Sequence, residues 1–571
     1  MKIFRYKQAI VALCCLASMV SCSDMLDTDS DMVEFAEDNT LSTPQDTLYS
    51  VMGIIRQMQV IADRTVLLGE VRADLMTTTD KATTAVKQMA AFDFNEENPY
   101  NRISDYYAVI NNCNYYLANA DTNFVRLGKK IFEKEYAAVK TYRAWTYLQL
   151  AKVYGQVPLV TEPVLTEMQA EQEMNKTRSD ITAICNYFIN DLQRYVDTEI
   201  PQYGEVGSFN SKFFFIPVRV LLGEMCLWAG RYQEAATYFS QYLNKKNAPV
   251  ITRTSGVRWS VTNGDFINGA VSDGFTGGIS SGTISEQIAA IPMETSEFYG
   301  KKSLLADVFE STENNFAYFQ ITPSAAMREL SASQDYVLLS QTSDTQKDTI
   351  RAPKEGLWDA LLNGDLRLYA SYKKLTVNRN ETSSYSSDVQ YIQKLPEKFV
   401  SIYRVQEVYL LFAEALCRAG YPESAFCILK YGLRAKNIER YVSAKERERV
   451  GSLIDFDDET FPESVTQGIH SRGCGNAECD KLYCLPEPAE ELASYEDTVQ
   501  FRIPLVEEMI IEEKALEQAF EGKRYYDLMR IALRRGDNSF LAAPIAKRNG
   551  TRDEALYNLL MDNKNWYLPL K

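Results

Sequence analysis

The first residues able to support chemistry lie near the N-terminus, where Leu16-Ala17-Ser18-Met19-Val20-Ser21-Cys22 forms a lipobox-like run. A basic start (Lys2, Arg5, Lys7) and an apolar stretch from Ile10 to Val20 precede it, with small Ser21 before the cut. That layout is a secretory signal rather than a membrane span, which needs about 20 apolar residues. A cysteine at the cut predicts lipidation: cleavage makes Cys22 the new N-terminus, and its acyl chains hold a soluble body on a membrane surface. Burial of each acyl CH₂ is worth about 0.8 kcal/mol, so several chains anchor stably.

A second group sits near the C-terminus. Glu521, Arg524, Asp527 and Arg530 follow at three-residue steps and alternate in charge, so they are expected to pair along a helix. Gly522 marks a bend. The reading is structural, not catalytic, for Glu521 and Asp527. Asp365 and Arg367 are likewise expected to fix a loop. His470 is the only histidine, which argues against mechanisms that use histidine as base or zinc ligand. Cys474, Cys479 and Cys484 are spaced by five and do not match the CxxC pairs of zinc sites. One disulfide among them stays open. Asp27, Asp29 and Asp31 imitate the start of a calcium loop, but Met32 stands where the turn needs glycine and Asp38 where glutamate closes the site. No metal and no cofactor is expected.

These residues need elements to position them. Helical periodicity runs from Thr43 to about Gln59, over 99–120, and most cleanly over Lys130–Tyr154, which stops at Tyr154-Gly155-Gln156-Val157-Pro158. Val220–Ser240 and Val408–Lys430 look alike, each an apolar helix, a glycine turn (Gly230, Gly420) and a helix opening near a small residue (Ala235, Ala425). Lys130–Tyr154 with Arg178–Tyr195, and Glu507–Arg535, supply two more pairs. The fold class expected is mostly α: tetratricopeptide-like helical hairpins with long irregular loops and minor β. Cys113, Cys185, Cys226, Cys417 and Cys427 fall in these helices, where a thiol acts as a small buried hydrophobe.

Between about 247 and 399 glycine, serine, threonine and asparagine rise and helical periodicity fades, while aromatics recur. Long irregular stretches on a rigid scaffold tend to carry binding. The division expected is a signal at 1–21, an acidic lipidated tether at 22–42, and one domain over 43–571. In that domain the scaffold takes about 43–246 and 400–571 and the insert 247–399. A second irregular region spans about 451–505 and includes Gly468–Gly475. After Cys22 no apolar run is long enough to span a bilayer; Phe213–Leu222 is broken by Pro217 and Arg219. The formal net charge of −16 argues against nucleic acid and against polybasic attachment to anionic lipid.

Together these pieces resemble the SusD/RagB family of outer-membrane lipoproteins. Arg143-Ala144-Trp145 with Tyr154-Gly155-Gln156-Val157-Pro158-Leu159 is similar to the family's RAxxYF…YGxVPL. Asp365-Leu366-Arg367, then Arg404, Glu407, Leu410 and Ala413-Glu414-Ala415, is similar to its DxR and RxxExxLxxAEA. Glu512-Glu513-Lys514 and Glu521–Arg530 match EExxxELxFEGxRxxDLxR, and Trp566–Leu570 its closing motif. The segment Lys430–Asn437 matches only partly, and the Cys474–Cys484 loop is not a general family feature.

The resemblance implies a surface protein that caps a SusC-like TonB-dependent transporter as a lid and captures oligosaccharides without hydrolysing them. The same role for oligopeptides is the alternative; a glycosidase and a structural adhesin are further rivals. A glycan site would use Trp259, Phe275, Tyr299 and Tyr318 as ring platforms, with Arg72 and Asp74 beside the pocket. A peptide site would use backbone groups of Gly468–Gly475.

Overall fold

The computed structural model describes residues 44–570 other than 96, 124, 127, 131, 208, 245–250, 252–255, 263–265, 277–285, 311–318, 342–346, 352–363, 381–382, 463–466 and 476–481. Cys22 and the acidic tether therefore lie outside the described residues.

Helix α1 (Pro44–Glu70) starts with a first-turn proline, as expected, but runs eleven residues beyond Gln59. Its second half, from Val60 to Glu70, is buried nearly all round. An encircled helix has no polar face, so amphipathic periodicity vanishes although the helix continues. Then come α2 (Ile103–Asn119), α3 (Glu133–Tyr154), α4 (Ile181–Leu192), α5 (Val218–Trp228) and α6 (Tyr232–Leu243). Gly155 ends α3 at φ +75°, donating its N–H to the Ala151 carbonyl, and a Cβ there would press on the Tyr567 ring. Gly230 turns α5 into α6 at φ +74°. Gly223 lets the two helices close: a Cβ would lie 2.5 Å from the Phe239 ring.

The region 247–399 holds more regular structure than its composition suggested. Strands β1 (Val257–Thr262) and β2 (Phe266–Asp273) form one antiparallel hairpin. After β3 (Gln287–Pro292) come the hairpins β4 (Val337–Gln341) with β5 (Lys347–Arg351) and β6 (Tyr372–Asn380) with β7 (Ser383–Ile392). Finally β8 (Phe399–Arg404) pairs with β3, from Gln287↔Arg404 to Pro292↔Phe399, and so brackets the hairpins between 337 and 392.

The scaffold resumes with α7 (Val405–Arg418), α8 (Pro422–Lys430), α9 (Tyr495–Glu517) and α10 (Arg524–Arg535). Helix α7 packs on α6, so the hairpin stack continues across the insert as if it were absent from the chain. Helix α10 packs back against α1. One contiguous core extends from Val51 to Leu568. The region read as irregular over 451–505 contains the start of α9; Pro504 lies inside that helix and disguised it, because proline ordinarily breaks one. Among the described residues no helix is long and apolar enough to cross a membrane.

Candidate functional site

The motif residues converge on the end of α9, and they do so inside the protein. Glu517 is fully buried and faces three arginines that are themselves fully buried. Arg404 Nη1 lies 2.8 Å from its Oε1, Arg367 Nη1 3.0 Å from Oε2, and Arg472 Nε 3.2 Å from Oε1. Burial alone would raise the Glu517 carboxyl, but Arg472, Arg404 and Arg367 hold it down at about 2. Around this centre Arg367 also grips Asp365 (2.6 Å) and Glu513 (2.6 Å), and Arg404 grips Glu521 (2.7 Å). Arg472 reaches Glu286 at 3.0 Å, and Lys394 Nζ caps the carbonyls of Glu517 and Ala519. His470 Nδ1 lies 2.9 Å from Glu513 and the ring stacks on Tyr483 at 3.7 Å.

A second knot sits one turn away. Glu414 accepts from Arg530 Nε (2.9 Å) and Lys514 (2.8 Å), while Asp527 accepts from Lys514 (2.8 Å) and Arg530 (2.7 Å). Glu407 pairs with Lys523 at 2.8 Å. The expected row along one helix is thus corrected: only Asp527 and Arg530 pair that way. Glu521 lies in the turn before α10 and goes to Arg404, and Arg524 goes to Asp74 at 2.8 Å. The turn is pinned by Glu70, whose oxygens accept the Phe520 and Gly522 N–H groups at 3.0 Å each. Burial pushes the Glu70 carboxyl up to about 7. Gly522 sits at φ +75° against the Val66 backbone, where a Cβ has no room.

Most of the residues proposed for ligand contact are not available to one. Arg72 is fully buried; it donates to the carbonyls of Leu68 (2.7 Å) and Trp566 (2.9 Å) and lies 4.0 Å over the Tyr525 ring. Asp74 is 4 % exposed and held by Arg524. Trp259 and Phe275 sit with Val257, Tyr336, Leu366 and Ala370 in a small satellite core. The Phe275 ring lies 5.1 Å from both Lys394 and Arg472, roofing the charge network. These two aromatics are interior because the insert folds back onto 365–371, a contact no local pattern announces. Gly468–Gly475 is also internal: Gly468 abuts the Lys430 backbone and Gly473 abuts Asp365. The Cys474 thiol donates to Asp365 Oδ2 at 3.0 Å and is in no disulfide; Cys484 is exposed, and Cys479 lies outside the described residues.

Tyr299 is the exception, with 83 % of its surface exposed. The turn that carries it is rigid. Thr295 N–H donates to the Phe298 carbonyl (2.9 Å), Glu294 N–H to the Lys301 carbonyl (3.0 Å), and Thr295 Oγ1 accepts from Phe298 N–H. Phe298 plugs into the core against Phe209 and Phe214. Gln59 accepts the Lys301 N–H at 2.9 Å from below. Tyr318 lies outside the described residues, so no second ring is placed beside Tyr299.

Sequence reasoning missed Glu517, Arg472, Lys394 and Glu286. Glu517 had a local signal, four residues after Glu513 on one helix face. Arg472 stands inside the Gly468–Gly475 segment, whose composition is that of a loop; its role depends on a carboxylate on another helix.

No protein-family model matches the chain, and no curated protein matches it. Solved structures do. A SusD superfamily protein from Bacteroides vulgatus aligns with TM-score 0.54 and 13% identity over 91% of this chain and 92% of its own. NanU of Bacteroides fragilis aligns with TM-score 0.52 and 16% identity, over 92% and 95%. A SusD-like carbohydrate binding protein from Bacteroides fragilis aligns with TM-score 0.52 and 14% identity, over 87% and 88%. The shared path is that of the helical scaffold with its insert, nearly end to end: this chain has the SusD-like fold.

Proposed function

We propose that this chain is a lipid-anchored member of the SusD/RagB family that captures oligosaccharides at the outer surface of the outer membrane. It acts there as the lid of a SusC-like TonB-dependent transporter. The observation that carries the reading is the SusD-like fold along about nine tenths of the chain, shared with a carbohydrate binding protein. The lipobox-like Leu16–Cys22 adds the anchor. Tyr299 is the one described candidate whose ring a pyranose can reach, and a rigid turn presents it without the entropy cost of ordering a loop. The protein captures and does not hydrolyse: the motif carboxylates are locked in ion pairs away from solvent. Lid closure needs only that ligand bind the closed state more tightly than the open one.

The test is to purify the lipoprotein gently from its own outer membrane and identify what accompanies it by mass spectrometry. A SusC-like barrel with oligosaccharide supports the reading. The same barrel with peptides keeps the lid and overturns the glycan, and absence of any barrel overturns the lid. A Cys22→Ser variant is expected to leave the membrane fraction.

A further inference from the structure

One helix of this protein stands apart from the core. The segment Glu167–Met174 buries none of its eight residues, and Leu165 just before it and Met168 within it are 63% and 67% exposed. After Tyr299 they are the most exposed large apolar side chains among the described residues. An isolated helix of that length is marginal in water and ordinarily takes its stability from a packed face. This one is closed by its own residues instead. Thr166 Oγ1 accepts the Gln169 N–H, and Gln169 Oε1 accepts the N–H groups of Thr166 (3.2 Å) and Leu165 (2.8 Å).

The backbone that carries the helix is fixed from below. The rungs Val157↔Ser179 and Pro158↔Arg178 close the base of the excursion. Asn111 on α2 exchanges two hydrogen bonds with the Val164 backbone, at 2.7 and 2.8 Å. Tyr147 on α3 exchanges two with the Val160 backbone, at 2.7 and 2.9 Å. Asn114, itself 1 % exposed, donates to the carbonyls of Val160 and Glu162. Side chains of two scaffold helices are thus committed to mounting a helix that adds nothing to the core. A rigid mount lowers the entropy cost of a contact made outside.

We infer that this knob is a protein-docking surface: Leu165 and Met168 enter an apolar socket ringed by lysine or arginine on the transporter. The inference rests on the lid reading above and adds to it the face that meets the barrel. The rim decides the partner's chemistry. Over 162–180 the acids Glu162, Glu167, Glu171, Glu173 and Asp180 stand against Lys176 and Arg178, and Glu173 is already paired with Lys176. That sign disfavours an anionic lipid surface. A second copy docked by the same patch would bring the same acids together, and like charges across an interface repel. A glycan is no better served, because the apolar tip offers no ring to stack on and the Gln169 N–H is taken by Thr166.

The experiment uses the full lipidated chain in its own outer membrane. Photo-methionine, incorporated in place of methionine, should cross-link to the barrel on illumination, with an adduct mapped to position 168. In gentle purification the Leu165→Ser/Met168→Ser double variant should retain about tenfold less barrel than wild type, the scale of losing interface anchors. Its thermal unfolding should be unchanged, because both positions are exposed. Glu167→Lys/Glu171→Lys should also lower retention, and more at low salt than at high. A barrel that comes equally with wild type and the double variant overturns this docking surface and leaves the lid reading standing. An adduct at 168 to lipid or to a second copy overturns it too, as does no adduct there at all. If the double variant fails to fold, the cross-link on the unaltered chain decides. No barrel with wild type overturns both readings.

Discussion

Two turns of this protein invert the usual distribution of residues. The α9–α10 turn and its surroundings take arginines, lysines and carboxylates into the interior, with Arg367, Arg404, Arg472 and Glu517 all at 0 % exposure. The 294–301 turn does the reverse and holds Tyr299 out in solvent. Buried charge and exposed aromatic surface are the informative departures from a hydrophobic-in rule. Here they separate architecture from exposure: motif residues that look reactive lock helices together, and Tyr299 alone of the described aromatic candidates stands in solvent.

The sharpest way to break this contrast is Glu517→Ala, which strands three buried guanidinium groups. Removing one partner of a buried pair costs about 3–5 kcal/mol, so urea denaturation should show a loss of at least that size. A near-neutral result would mean that the network is solvated. Gly522→Ala should come next: φ +75° and the abutting Val66 backbone predict a loss of about 1–3 kcal/mol or more, read by thermal unfolding.

The pH profile divides the interior charges by sign. Glu517 is held at about 2, below its unfolded value of 4.5, so its stabilisation is present above pH 4.5 and lost as pH falls towards 2. Glu70 and Glu446 are raised by burial to about 7, so their contribution is full below pH 4.5 and is lost as pH rises through 7. Denaturant unfolding between pH 3 and 9 should therefore give a dome, and Glu446→Gln should flatten its alkaline limb. The smallest expected effect on stability is that of Tyr299→Ala. Its unfolding free energy should stay within about 0.5 kcal/mol of wild type while retention on an immobilised oligosaccharide that the wild type binds drops. Lost stability with unchanged binding would return Tyr299 to the scaffold.

The helical hairpins were legible because their signals are local. Gly230, Gly420, Ala235 and Ala425 mark close helix approach within a few residues of the turn. The hairpins of the insert were not legible: Lys373–Asn380 reads Lys-Lys-Leu-Thr-Val-Asn-Arg-Asn, too polar to separate a strand from a loop. It pairs antiparallel with Ser383–Ile392 in the folded chain. Trp259 and Phe275 read as platforms because aromatics among turn residues suggest exposure. They are buried because Tyr336 and Leu366, far along the chain, complete a core around them.

The sequence by itself determined the mostly helical scaffold and the expectation that the α10 motif is structural. Those follow from periodicity and backbone preference, which act over a few residues. Only the tertiary structure decided which charges meet. Glu521 stands three residues from Arg524 and pairs instead with Arg404, 117 residues away. A Coulomb pair depends on distance in space and on exclusion of water, and neither is written in spacing along a chain.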